Sequence, residues 1–269
     1  MRTATEPRLT QPQVDFFRKE GYLAYKQPVF SPERFKGLKD HFEEKLACLP
    51  PNIRPESMDV PHFVDLKLFD WLLSDEVLDL VEPILGPDIA LWSSHFICKP
   101  KGDGRRVPWH EDSAYWKGRL DPMEVVTVWL AIDPSTLKNG CMKVIPYSHG
   151  NGYSDYEPVD ASTHVFSSEV KRHQFDESKA VALELEPNEA SLHDGKMIHS
   201  SEANTSTIRR CGYTMRYIPT TTRLNLDKNS MHKIYLARGR DRAGNPYGDP
   251  TKCYEENRRY KELHGNNGH

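Results

Sequence analysis

The chain has no apolar run approaching the roughly 18 residues that a membrane-spanning helix requires, and its opening, MRTATEPRLT, lacks the apolar core of a secretory signal. Both absences predict a soluble, cytoplasmic protein with no membrane partner. Charge of one sign is also missing: 36 Lys and Arg against 39 Asp and Glu leave a formal net charge of −3. Nothing therefore draws the whole molecule to nucleic acid or to an anionic membrane. Cysteine is scarce and unpaired in pattern. Cys48, Cys98, Cys141, Cys211 and Cys253 are odd in number, far apart and without a C-x-x-C motif, which predicts reduced, structural thiols. Internal repeats and low-complexity segments are absent as well. The 269 residues, 37% of them hydrophobic, are enough for one sizeable core, so a single domain over 1–269 is expected.

What is present divides in two. Residues 1–86 read as helical: in LTQPQVDFFRKEGYL, Thr10 suits an N-cap and Gly21 a C-terminal cap. A second helix opens at SPERF, where Ser31 precedes Pro32 and Glu33 lies in the first turn. Its Phe35, Leu38, Phe42 and Leu46 recur at helical spacing, which predicts packing against a sheet. SDEVLDLVEPILG is a third helix, capped by Ser74 and stopped at Gly86. Over 88–219 the texture changes to short β-branched or aromatic segments such as DIALWSSHFICKP, VVTVWLAID, CMKVIP, AVALELEP, EASLHDGKMIHSS and RRCGYTMRYIP, separated by turn residues. Strands with no helical pattern between them predict a mainly β fold: a double-stranded β-helix (jelly roll, cupin-like) with N-terminal helices packed on one sheet. Residues 220–269 read as a C-terminal extension. In it ARGRDRAGNPYGDPTKC, with Arg238, Arg240 and Arg242 at alternate positions, is expected to be a solvated loop.

Within the β half, VPWHEDSAYW places a histidine and an aspartate two residues apart. In an extended strand such residues share a face, so His110 and Asp112 could grip one object. Imidazole and carboxylate are two thirds of the facial triad that holds iron(II) while leaving coordination positions open. A three-letter pattern also recurs by chance, so the pair needs a third donor from a distant strand. KMIHSSEANTSTIRR offers His199. His193 is the rival, but it precedes Asp194-Gly195, a turn dipeptide that places it on the other arm of a hairpin. Eleven residues beyond His199, Arg210 opens the next strand, where a guanidinium can present its planar fork to a carboxylate deep in the barrel.

Together these residues resemble the phytanoyl-CoA dioxygenase family of iron(II)- and 2-oxoglutarate-dependent oxygenases. The likeness rests on HED at 110–112, His199 in MIHSSEANTS, Arg210 in STIRRCGYTMRY, the opening QVDFFRKEGYL and the block NGCMKVIPYSHG at 139–150, and runs from about residue 10 to 219. It implies that His110, Asp112 and His199 are the catalytic iron ligands, that Arg210 pairs with the far carboxylate of 2-oxoglutarate, and that Ser201 adds a hydroxyl beside it. It also implies that Trp129 lines the co-substrate pocket and that His95 lies near it, with core packing as the alternative for each. Fe(II), 2-oxoglutarate and O2 are then the expected cofactor and co-substrates. The implied reaction is oxidative decarboxylation to succinate and CO2 coupled to hydroxylation, with ring closure, desaturation and demethylation as variants. Similar halogenases replace the carboxylate ligand by a small residue; this chain keeps Asp112, which disfavours chlorination.

The expected partner is a small-molecule substrate, and the protein is expected to be a monomer or homodimer. Tyr115 and Trp116 are candidate substrate contacts, with a packed aromatic as the alternative. Along RRCGYTMRYIP, Arg210, Gly212, Thr214 and Arg216 share one face; Arg209 takes the other and is expected at the surface. Six residues of strand span roughly 20 Å, so Arg216 is expected at the far end of the barrel or near its mouth, with a structural salt bridge as the alternative. Lys99, Lys101, Arg105 and Arg106 precede the metal motif and are expected to line the entrance. These cations favour a compact substrate bearing a carboxylate or phosphate-like group; an acyl-CoA held through its phosphates is the alternative. Two readings from other classes are a non-catalytic metal-binding jelly roll, which needs neither Arg210 nor Ser201, and a metal hydrolase, which neither consumes dioxygen nor releases succinate.

Overall fold

The computed structural model describes residues 8–51 and 53–264. The first seven residues, most of the segment read above for a signal, and the last five of the C-terminal extension lie outside the described residues. The N-terminal part contains α1 (Gln11–Glu20), β1 (Tyr22–Tyr25), α2 (Pro32–Ala47), β2 (Met58–Asp59), α3 (Phe69–Leu72) and α4 (Asp75–Leu85). The helix ends follow from their caps. Thr10 and Gln13 form a capping box on α1, Ser31 Oγ accepts from Arg34 N on α2, and Gly86 closes α4 at φ 88°. Gly21, at φ 82°, ends α1 in the left-handed conformation and turns the chain onto a sheet edge. The next four residues, expected to belong to a wholly helical segment, are therefore strand β1, pairing Tyr22 with His193. Among the described residues no helix is long and apolar enough to cross a membrane.

The β half begins with β3 (Ile89–Lys99), β4 (Val107–His110), α5 (Ser113–Trp116), β5 (Leu120–Asp121), β6 (Val126–Ala131) and β7 (Met142–Val144). It continues with β8 (Tyr156–Pro158), β9 (Ser168–Val170), β10 (Val181–Leu183), β11 (Ala190–Asp194), β12 (His199–Ser201) and β13 (Arg210–Pro219). The chain ends with β14 (Arg223–Leu224), β15 (Tyr235–Arg238) and α6 (Glu255–His264). The major sheet runs β1-β11-β6-β13-β3-β15, with β2 also on β3; the minor sheet runs β10-β7-β12-β4. All these pairs are antiparallel, and the two sheets enclose one cavity between them, the jelly-roll arrangement.

Strand parity divides the major sheet into a helix-facing and a cavity-facing side. Cys211, Tyr213, Met215 and Tyr217 of β13 and Val126, Val128 and Leu130 of β6 join one apolar core with Leu38 and Phe42 of α2 and Val77, Leu78, Leu80 and Val81 of α4. Leu38 and Phe42 are wholly buried, each contributing about 1.5–3 kcal/mol. The alternate residues Arg210, Thr214 and Arg216 line the cavity. A bulge interrupts β3: Arg216 pairs with Ser93 and Tyr217 with Leu91, leaving Trp92 as the extra residue, so Trp92 and Ser93 both reach the cavity wall.

Two expectations outside this frame are corrected. The segment around Arg238 is not simply a solvated loop: β15 extends the major sheet beside β3, and Arg238 pairs with Asp75, Asp79 and Glu82 of α4. Arg209 is half-buried rather than at the surface, pairing with Glu43 of α2 and with Asp133 and so riveting helix to sheet.

Candidate active site

The three expected donors meet. His199 and His110 are register partners on the adjacent strands β12 and β4, so their imidazoles project side by side, with ring centroids 4.1 Å apart. Asp112 arrives differently from the strand-face expectation. β4 stops at His110, and Asp112 has helical angles, φ −58° and ψ −36°, at the start of α5. That turn folds its carboxylate back to place Oδ1 3.6 Å from His110 Nε2 and 4.0 Å from His199 Nε2. One ligand atom from each residue lies within 4.8 Å of the others, and all three residues are buried.

The hydrogen bonds behind the triad fit a metal. His110 Nδ1 lies 2.8 Å from Pro108 O and His199 Nδ1 2.9 Å from Met197 O. A carbonyl only accepts, so each Nδ1 carries the proton and each Nε2 turns a lone pair toward Asp112. Burial, then the neighbouring His110 and His193, hold His199 well below the usual imidazole range, so it stays neutral. Burial alone would raise Asp112, but the Arg216 charge and the histidine contacts outweigh it and hold the carboxyl well below its usual range. Two lone pairs and a carboxylate oxygen converging without a proton among them are a donor set for a divalent cation, and two imidazoles with one carboxylate suit iron(II).

At the other end of the cavity Arg210 is 2% exposed. It donates from Nη2 to Ser201 Oγ at 2.8 Å, from Nε to Gly140 O at 3.1 Å and from Nη1 to Ile97 O at 3.3 Å. Its guanidinium lies 5.4 Å over Trp129. Among the described residues it has no carboxylate partner, an expensive state for a buried cation unless an anion arrives. Ser201 donates on to Gly140 O at 2.7 Å, and Gly140 sits at φ 79° with Glu202 O only 2.3 Å from where a Cβ would stand. His95 also lines the cavity, 2.8 Å from Glu56 O through Nε2 and 3.5 Å from Asp59 Oδ1 through Nδ1.

Tyr115 and Trp116 form part of the same wall. Arg216 shares the face of Arg210 as parity requires, and the salt-bridge alternative holds, with Asp112 as its partner. Its side chain turns to the candidate ligand Asp112, Nε donating to Oδ2 at 3.1 Å, while its guanidinium covers Trp116 at 5.3 Å. Lys99 is a correction: it is completely buried, absent from the cavity wall, and spends its ammonium on the carbonyls of Ser201 and Glu202. Arg106 is likewise spent, on Glu169 at 2.7 Å.

Several wall residues escaped the sequence reading. His193 is one: the Asp194-Gly195 turn crosses from the major sheet to the minor one instead of closing a hairpin, so His193 faces the same cavity, its ring 4.9 Å from that of His199. Neither of its ring nitrogens has a partner among the described residues, and burial pushes it down to about 4. Trp92, Arg119, His232 and Tyr260 also line the cavity. Their segments carry no motif; only the β3 bulge and the docking of the C-terminal part bring them in.

The sequence matches the profile of the family described as phytanoyl-CoA dioxygenase (PhyH) over residues 17–212. A Dictyostelium discoideum protein, "Phytanoyl-CoA dioxygenase domain-containing protein 1 homolog", is 30% identical over 160 residues, covering 58% of this chain and 56% of that protein. A Stutzerimonas stutzeri protein, "Probable alpha-ketoglutarate-dependent hypophosphite dioxygenase", is 30% identical over 160 residues, covering 56% of this chain and 52% of its own. The chain thus spans about half the length of these curated relatives. Among solved structures, the non-heme monooxygenase ThoJ in its apo form shares the fold, with a TM-score of 0.73 at 22% identity over 94% of this chain and 95% of that one. The matched span takes in all three donors and Arg210, and the chain belongs to the phytanoyl-CoA dioxygenase family.

Proposed function

We propose that the protein is an iron(II)- and 2-oxoglutarate-dependent dioxygenase that hydroxylates an unactivated C–H bond of a small anionic metabolite. The observation that carries this reading is the convergence of His110 Nε2, Asp112 Oδ1 and His199 Nε2 in the cavity that also holds the carboxylate-free guanidinium of Arg210. When bound, iron(II) with 2-oxoglutarate supplies the activation of dioxygen, and the balance is R–H + 2-oxoglutarate + O2 giving R–OH + succinate + CO2.

The chain's own residues then have distinct tasks. His110, Asp112 and His199 would hold iron(II), two imidazoles and one carboxylate being a donor set that suits it. Arg210 pairs with the far carboxylate of 2-oxoglutarate, Ser201 fixes the guanidinium and adds a hydroxyl, and Trp129 walls the co-substrate off from water. Arg216 holds Asp112 Oδ2 and leaves Oδ1, the oxygen facing His110 Nε2, as the one that would serve a metal. The Stutzerimonas relative is named for hypophosphite, itself a compact oxyanion, which supports an anionic substrate. An acyl-CoA held by entrance phosphates is less favoured, because Lys99 and Arg106 are occupied by protein partners.

The test is anaerobic loading with iron(II) and 2-oxoglutarate, then oxygen uptake and succinate release across a metabolite panel. Substrate-dependent succinate matched to oxygen consumed is expected. Hydrolytic products without oxygen uptake would overturn the reading. The ligand set is checked by metal content: His199→Ala should lose iron and activity, and a normal His199→Ala protein beside an inactive, iron-free His193→Ala would transfer the role.

A further inference from the structure

Resting on the oxygenase reading above, the charged groups of the cavity leave one further cation without an ion-pair partner among the described residues. The wall carries Arg119, Arg210 and Arg216 against Glu56, Asp59 and Asp112. Glu56 is taken from outside by Arg54 at 2.9 Å, Asp112 is shared between Arg216 and the metal position, and Asp59 lies 3.5 Å from His95 Nδ1. Arg210 is assigned to 2-oxoglutarate. Arg119 has no carboxylate partner among the described residues.

Arg119 is nonetheless held firmly, and only by neutral groups. Its Nε donates to Asn229 Oδ1 at 2.8 Å while Asn229 Nδ2 donates back to the Arg119 carbonyl at 2.9 Å, so one asparagine clamps both ends of the residue. The guanidinium lies 5.0 Å over the Trp92 ring, and Tyr260 is its other hydrogen-bonding neighbour. An amide, an indole face and a phenol orient a cation without neutralising it, which is the construction of an anion receptor.

The wall beside it carries buried polar atoms without partners. Trp92 is fully buried and its Nε1–H has no acceptor among the described residues. His232 stacks on Trp92 at 4.1 Å and is 2.8 Å from Trp92 O through Nε2. The proton therefore sits on Nε2, and the buried, unpartnered Nδ1 is an acceptor. Burial pushes His232 down to about 3, which keeps it in that neutral form. Unpaired buried donors and acceptors cost free energy unless a ligand completes them.

We infer that Arg119, with Trp92 and His232, forms the substrate subsite for a compact oxyanion, a carboxylate or a phosphorus oxyanion, carrying a hydroxyl or amine donor within reach of His232 Nδ1. The anionic head binds the free guanidinium edge, the donor meets His232, and Trp116, under Arg216, packs against Trp92 with ring centroids 6.1 Å apart between this subsite and the metal ligands. Specificity follows from the unpaired groups: a neutral analogue leaves Arg119 unanswered.

The test uses anaerobic protein loaded with iron(II) and saturating 2-oxoglutarate, titrated calorimetrically with butyrate, methylphosphonate and the uncharged butyramide. The metal-to-2-oxoglutarate charge-transfer band is followed in parallel. At least one anion should bind roughly 10- to 100-fold more tightly than butyramide, and Arg119→Gln should remove that advantage, Arg119→Lys only part of it. Binding of one anion alone keeps the inference and tells carboxylate from phosphorus oxyanion. Equal affinity for anion and amide in the parent protein, or anion affinity unchanged in Arg119→Gln, overturns it. A parent protein lacking the charge-transfer band fails the oxygenase reading, whereas a normal band with no preference for charge fails this inference alone.

Discussion

Arg210 shows how a residue type and its setting combine. Burial lowers its pKa and its contacts are neutral acceptors, so the folded protein holds a buried cation with no carboxylate partner among the described residues. Arg210→Ala should cost about 2 to 5 kcal/mol, roughly 30-fold to several-thousand-fold in 2-oxoglutarate affinity, read from calorimetry or the KM for 2-oxoglutarate. Arg210→Lys should recover only part, because an ammonium cannot reproduce the planar fork. At Arg216 the consequence falls on the metal. Arg216→Gln frees Asp112 Oδ2, and iron(II) affinity should weaken about 10- to 100-fold in anaerobic titration; an unchanged dissociation constant would show that Asp112 is positioned without it. These residues differed in legibility. Arg210 opens a strand beyond a donor motif and could be read as a carboxylate partner, whereas the destination of Arg216 depended on where Asp112 would turn.

At the scale of elements, β13 does two jobs because successive side chains leave opposite faces. Its odd-numbered residues pack on the helices and its even-numbered ones build the cavity. Gly212 belongs to the second set, and a Cβ there would stand 2.0 Å from Trp129 Cζ2. The indole lies against this bare backbone while its face supports Arg210. Gly212→Ala should therefore destabilise the fold by about 1–3 kcal/mol and raise the KM for 2-oxoglutarate, measured by thermal melting and succinate formation. A normal KM in a folded Gly212→Ala protein would detach Trp129 from the co-substrate. Parity was readable from RRCGYTMRYIP, and so were the helix ends, although Ser74 at the start of α4 spends its hydroxyl on Trp71 O instead of capping the helix. Strand β1 was not, since YLAY acquires its partner only through the edge of β11, and neither was the helical turn at Asp112, hidden behind a pattern that suits an extended chain equally well.

For the whole molecule, burial of histidine in neutral form links folding to pH. His232 is held at about 3 in the folded protein and returns to about 6.5 when unfolded. Between these values the unfolded chain binds a proton that the folded chain does not, so stability falls as pH falls, by about 1.4 kcal/mol per pH unit from this group, and the loss is absent above about pH 6.5. Urea midpoints for the metal-free protein at pH 7, 6 and 5 should decline, and His232→Phe should decline less steeply by about that slope. Identical slopes in the two proteins would mean that His232 gains a proton-stabilising partner on folding.

The sequence by itself determined the fold class, the helix ends, the alternation along β13, and the candidacy of His110, Asp112, His199, Arg210 and Ser201, which line one cavity. These are legible because periodicity, capping and motif spacing are local properties of a chain. Which atoms face one another was decided by the tertiary structure. The crossing of residues 194–199 between sheets turned His193 into the cavity, the extra residue in β3 brought Trp92 to its wall, and the C-terminal part delivered His232 and Tyr260 beside Arg119. Those meetings join positions far apart in the chain, 140 residues for Trp92 and His232. No local pattern encodes them, because they follow from how two sheets and the segments around them pack.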